Sequence, residues 1–180
     1  MSLELRIFPD PILKKRSEEI VKIDTDIKKL MDQMLETMYS QRGVGLAAVQ
    51  VGHLKRILVM DVEYELTDCD DGCCHKKNIA NKEPIFMVNP EIISGSKEQN
   101  IFFEGCLSFP EIRAEIKRPK IVEIKYLDYD GNEQVIKAEG LLSTCVQHEI
   151  DHLDGITFID YLSKVKRDML LRKMYKKLKQ

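Results

Sequence analysis

Residues 141–155 read LLSTCVQHEIDHLDG, and the fold turns on how this stretch is taken. In a helix, side chains four residues apart lie one above the other on the same face. His148 and His152 can then hold one cation between them. Glu149 sits about 100° further round the helix, where it reaches a water beside that cation. This is the HExxH arrangement, in which two histidines ligate and a glutamate serves as base. Gly140 and Gly155 bracket the segment. The rest of the chain must supply a third ligand and the walls around the site.

Upstream, Asp24 is placed to cap a helix, with Ile27, Leu30, Met31, Met34, Leu35 and Met38 at helical spacing and Gly43 as its stop. The methionines read as core packing. RILVMDV (56–62), IFMVNPEII (85–93) and KIVEIKYLDY (120–129) read as strands. Asp130-Gly131 turns the last of these into EQVIKA (133–138) as a hairpin. The tail predicts a C-terminal helix with Val165, Met169 and Met174 on its apolar side. The expectation is an α+β fold: mixed or antiparallel sheets around a central metal-binding helix. It is expected as one domain over residues 1–180, with a polar insertion at about 66–83 and a basic C-terminal helix at about 163–180.

The apolar fraction of 43% supports a packed core and argues against disorder. No apolar run approaches the roughly 18–20 residues of a membrane span, so no membrane partner is expected. The start, MSLELRIFPDP, has neither a signal nor a transit pattern, which argues for the cytoplasm. The five cysteines are odd in number and two are adjacent, Cys73 and Cys74. Free thiols or metal ligands fit this better than a disulfide framework. Residues 163–180 carry eight Lys/Arg and one Asp, a net of +7, which leaves −9 on the other 162 residues of a chain whose total is −2. An acidic body with a basic tail suggests an anionic partner for the tail.

A catalytic metal takes three protein ligands and keeps one position open. No histidine follows His152. Asp154 and Asp160 are acidic candidates, but Gly155 ends the helix between them. Cys106, in FFEGCLSFP, is the better candidate, with Gly105 allowing a tight backbone. Cys145 competes, because 145, 148 and 152 share one helical face and spacing does not exclude it. GVGLAAVQVG (43–52), taken alone, reads as a buried strand with glycine for close packing. The insertion offers Cys69, Cys73, Cys74 and His75 as a second cluster, although its many charges favour a solvated loop.

GVGLAAVQ, EGCLS and HEIDH, in that order, together resemble the peptide deformylase family, whose signature is G-Φ-G-Φ-A-A-x-Q, then E-G-C-L-S, then H-E-x-D-H. FPDPIL (8–13) also looks like that family's P-D-P-x-L. The resemblance implies a metal-dependent hydrolase that takes the formyl group from the N-terminal formyl-methionine of nascent peptides. It implies Cys106, His148 and His152 as ligands of one divalent metal: iron(II) in cells, with zinc, nickel or cobalt able to replace it. Glu149 becomes the general base. Gln50 and the backbone N–H of Leu107 donate to the reacting oxygen, and Gly45 offers its backbone to the peptide. Val44, Phe102, Leu141, Thr144 and Cys145 would line the methionine pocket, which places Cys145 under the substrate. Arg113 would contact the peptide backbone, and Glu104 and Asp151 would orient the histidines. The resemblance also suggests ribosome docking through the tail, a bacterial-type cytoplasmic setting and no DNA partner. Two other readings compete: a zinc endopeptidase, and a closed structural site made by Cys106, Cys145, His148 and His152.

Overall fold

The computed structural model describes residues 2–67 and 78–178. Helix α1 spans Thr25–Ser40 and α2 spans Gly140–Leu153. Helix α3 spans Lys164–Leu178. Among the described residues nine strands accompany them: β1 Gly45–Ala47, β2 Ile57–Met60, β3 Glu65–Thr67, β4 Asn78–Ala80, β5 Ile85–Gly95, β6 Gln99–Cys106, β7 Phe109–Pro119, β8 Ile121–Leu127 and β9 Glu133–Glu139. The main sheet runs β1-β2-β5-β8-β9, and β3–β4 and β6–β7 form two further pairs. Every pairing of named strands is antiparallel. The α+β class and the C-terminal helix therefore stand.

The main sheet lies between two helices. Leu58 and Met60 pack with Val146, Ile150 and Leu153 on the α2 side. Ile57 and Val59 pack with Met31, Met34 and Met38 on the α1 side. All four residues of β2 are buried, so its sequence, ILVM, shows no apolar–polar alternation. Helix α1 begins as its capping residue dictates: Asp24 Oδ1 accepts the Ile27 N–H at 3.0 Å. It stops at Ser40, short of the expected Gly43.

A third cluster holds the β6–β7 pair against α3. Phe109, Ile112, Ala114 and Ile116 pack there with Phe158, Leu170 and Met174. The 99–119 region, for which no strand was expected, is a long strand pair joined by a turn at 107–108. Two expectations are corrected. Gln50 lies on a 3-10 turn, Ala48–Val51, and not at the end of a strand. Helix α3 docks through Leu170 and Met174, whereas Val165 and Met169 are exposed. Within the polar insertion, β3 and β4 pair with each other. The proposed cluster of Cys69, Cys73, Cys74 and His75 lies outside the described residues.

Candidate metal centre

Three separate segments meet on the α2 side of the main sheet. Helix α2 supplies His148, Glu149 and His152, all buried. Strand β6 ends in Cys106. The 3-10 turn after β1 supplies Gln50. Register explains the presentation of Cys106: the pair Gly105–Arg113 is followed by Cys106–Phe109, so residues 110–112 are extra in β7 and bulge. Glu111, inside the bulge, adopts a left-handed φ of 66°.

The ligand atoms of Cys106, His148 and His152 all lie within 4.8 Å of one another. Cys106 Sγ is 3.1 Å from His152 Nε2. Metal bonds of about 2.0–2.3 Å in a tetrahedron imply ligand–ligand edges of roughly 3–4 Å, and the Cys106–His152 edge falls in that range. His148 Nδ1 donates to Glu104 Oε2 at 2.8 Å, leaving its Nε2 for the cluster. His152 Nδ1 and Glu149 Oε2 are buried with no hydrogen-bond partner among the described residues. One thiol, two imidazoles and the unmatched Glu149 oxygen fit a resident transition-metal dication, whereas His152 Nδ1 faces away from the cluster.

Charge is tightly arranged here. Burial disfavours the charged form of His148, yet Cys106 and Glu104 together raise it well above the ordinary histidine range. Burial and the neighbouring His148 push His152 well below that range. Burial pushes the Glu149 carboxyl up to about 7; a dication beside it would act the other way. Glu104 is buried too, but His148 and Arg118 outweigh that and hold its carboxyl below the usual value.

Arg118 is the residue that sequence reasoning missed. Its guanidinium donates to both oxygens of Glu104, at 2.6 and 3.1 Å, and to Asp151 at 2.7 Å. It thus fixes the carboxylate that fixes His148. Its clue was the inward phase of 112, 114, 116 and 118 along β7, since all four are buried while 111, 113, 115 and 117 face out. Asp151 does not touch a histidine, contrary to expectation; it accepts from Arg118 and from the Tyr161 hydroxyl at 2.9 Å.

The rival ligands have other partners. Asp154 pairs with Arg56 at 2.6 Å, and Asp160 pairs with Lys14. Cys145 donates to the Val44 carbonyl at 3.5 Å, and burial pushes its thiol well up. It does not join the converging ligand atoms, which removes the closed four-ligand arrangement.

Gln50 is held at its oxygen by the Ala47 N–H at 2.8 Å. Its amide N–H therefore faces Cys106 Sγ, at 3.4 Å. Val44, Gly45, Phe102, Arg113, Leu141, Thr144 and Cys145 all line one cleft of about 850 Å³, together with Gln50, Cys106, Leu107, His148 and Glu149. A Cβ on Gly45 would meet Glu149 Oε1 at 2.6 Å and Cys145 Sγ at 2.7 Å, so only glycine fits there. Leu5, Arg42, Phe103 and Glu111 also line the cleft and were not anticipated.

The family model for polypeptide deformylase matches residues 2–168. The chain is 47% identical over 175 residues to a peptide deformylase of Rhizobium meliloti (strain 1021), covering 97% of this chain and 93% of that protein. It is 48% identical over 176 residues to that of Bartonella henselae, covering 98% and 93%. A crystal structure of peptide deformylase from Ehrlichia chaffeensis superposes with a TM-score of 0.86 at 47% identity, covering 98% of this chain and 97% of that one. A complex of the Ehrlichia chaffeensis enzyme with actinonin gives 0.84 at 46% identity, covering 98% of each chain. With its cleft, its converging thiol and imidazoles and these relatives, the chain belongs to the polypeptide deformylase family.

Proposed function

We propose that the cleft hydrolyses the formyl group from the N-terminal formyl-methionine of newly synthesised polypeptides, with Cys106, His148 and His152 holding the metal on the HExxH helix. The convergence of those three ligand atoms beside a buried, half-partnered Glu149 carries this reading. When bound, the divalent metal supplies Lewis acidity that makes water a nucleophile near neutrality. Glu149 takes the proton from that water and returns it to the leaving amine, which becomes the new N-terminus. The formyl carbon leaves as formate. Gln50 Nε2 and the Leu107 N–H donate to the formyl oxygen as charge develops on it. Losing one such donor typically costs roughly 10²–10³ in rate.

The peptide lies extended along residues 44–45, its main chain paired with the backbone that Gly45 leaves open. Val44, Phe102, Leu141, Thr144 and Cys145 receive the methionine side chain, and Arg113 stands at the outlet. The native metal is iron(II), which suits one thiolate and two imidazoles; zinc, nickel and cobalt suit them too. The whole chain acts as one catalytic domain in a bacterial-type cytoplasm. Its basic tail helix docks on the RNA-rich surface of the ribosome from which the substrate emerges.

Metal analysis on protein purified without oxygen, paired with formate release from formyl-Met-Ala-Ser, tests the core of this. About one metal per chain and formate release inhibited by actinonin are expected. Glu149→Gln should retain the metal and lose nearly all turnover; near-normal turnover would remove Glu149 from its role.

A further inference from the structure

The cleft continues past the metal centre. A second cavity of about 340 Å³ is lined by Phe103, Glu111, Arg113 and Lys173. The first three of these also line the main cleft, so the two spaces share a wall. Gly105 and Arg113 are paired across the β6–β7 hairpin. A Cβ on Gly105 would lie 3.2 Å from Arg113 Cγ, so the arginine stem lies flat over the glycine. Phe103, two residues back along β6, is 65% exposed. Lys173 reaches the same cavity from α3.

The charges around this outlet do not balance. Among the described residues Glu111 is the one carboxylate lining the second cavity, and it is already paired with Lys177 at 2.5 Å. Counting Lys177, three cations share that single carboxylate. Arg42 adds another cation to the wall of the main cleft. The main cleft's other carboxylates, Glu104 and Glu149, are buried. Glu115 faces Phe103 across the hairpin but lines neither cavity.

An extended peptide advances about 3.3 Å per residue and alternates its side chains. With its formyl end at the metal centre, a peptide whose later residues leave over Gly105 and Phe103 would reach the second cavity. We infer that this outlet is a specificity site, in which Phe103, Arg113 and Lys173 favour substrates with an acidic side chain two or three places after the formyl-methionine. The inference rests on the deformylase reading and adds to it a partner chemistry for a residue of the tail helix. Lys173 is then a specificity residue as well as part of a basic surface.

The metal-loaded full chain can be assayed on formyl-Met-Ala-Xaa-Ser and formyl-Met-Ala-Ala-Xaa, with Xaa either Glu or Lys. The readout is the ratio of kcat/KM for Glu over Lys within each variant, which cancels general effects on turnover. An exposed charge pair is worth up to a few-fold, and exchanging attraction for repulsion counts it twice, so a ratio of roughly tenfold at low salt is expected at one position. Added salt at about 0.5 M should remove most of it. Lys173→Glu leaves two cations against two carboxylates at the outlet and should bring the ratio close to one. Lys164→Glu makes the same charge change about 13 Å up the helix and should leave the ratio in place. Equal rates for Glu and Lys peptides at both positions would overturn the inference, as would a ratio that both variants shift alike. If no peptide, formyl-Met-Ala-Ser included, releases formate, the deformylase reading fails and the outlet falls with it; equal rates on an active enzyme sink the outlet alone.

Discussion

Arg118 shows how much of the centre depends on a side chain that touches no ligand atom. It is 4% exposed, and its guanidinium is shared between Glu104 and Asp151. Removing one member of a buried charged group leaves the others uncompensated. Arg118→Met should therefore free Glu104, loosen His148 and weaken metal retention by about 10–100-fold, the usual scale for partners that orient a ligand. Metal content after timed dialysis against a chelator measures this, and unchanged retention would remove Arg118 from that role. The three candidate ligands that the structure brings together were legible in HEIDH and EGCLS because each is a short-range pattern. Arg118 was not: its importance lies in two partners 14 and 33 residues away, a distance that local spacing does not encode. The role expected of Asp151 failed for the same reason, since an arginine lies where a histidine had been expected.

Among the elements, the β6–β7 pair and α3 departed most from expectation. FPEIRAEIKRP alternates inward and outward residues from Glu111 onward, a strand signal that the flanking prolines and the neighbouring EGCLS motif obscured. The phase of α3 was ambiguous in principle. Val165, Met169, Leu170, Leu171, Met174 and Leu178 offer more than one apolar stripe, and only the shape of β7 selects Leu170 and Met174. The elements of the main sheet were legible because each had a local boundary marker: Asp24 caps α1, and Gly131 closes the β8–β9 turn. Met174 is fully buried against the strand that follows Cys106. Met174→Ala should cost about 2–5 kcal/mol of stability, seen as a lower denaturation midpoint. A change near zero would mean that α3 is not part of the third cluster in solution.

Across the whole molecule, the division between acidic body and basic tail acquires a physical arrangement. Because α3 contributes to a core cluster, deleting it would confuse lost docking with lost folding. Charge is the cleaner variable. Changing Lys164, Lys166, Arg167 and Lys176 to glutamine leaves Leu170 and Met174 in place. If the tail docks on ribosomes, this variant should release formate from formyl-Met-Ala-Ser at close to the parent rate. It should co-sediment with ribosomes far less, and the parent's co-sedimentation should fall steeply with salt. Equal co-sedimentation of the two proteins would leave α3 as a packed helix only.

The N-terminal segment has a consequence for timing. Arg6 N–H donates to the Gln50 carbonyl at 2.7 Å, Phe8 N–H to that of Ser108 at 3.0 Å and Ser17 N–H to that of Leu153 at 2.7 Å. One stretch near the start of the chain thus joins the three segments that build the centre. Residues 6–17 must wait for their partners, which are spread over about a hundred later positions, from Gln50 to Leu153. A chain still growing toward residue 153 has no assembled centre, so this processor of unfinished polypeptides cannot work while it is unfinished itself.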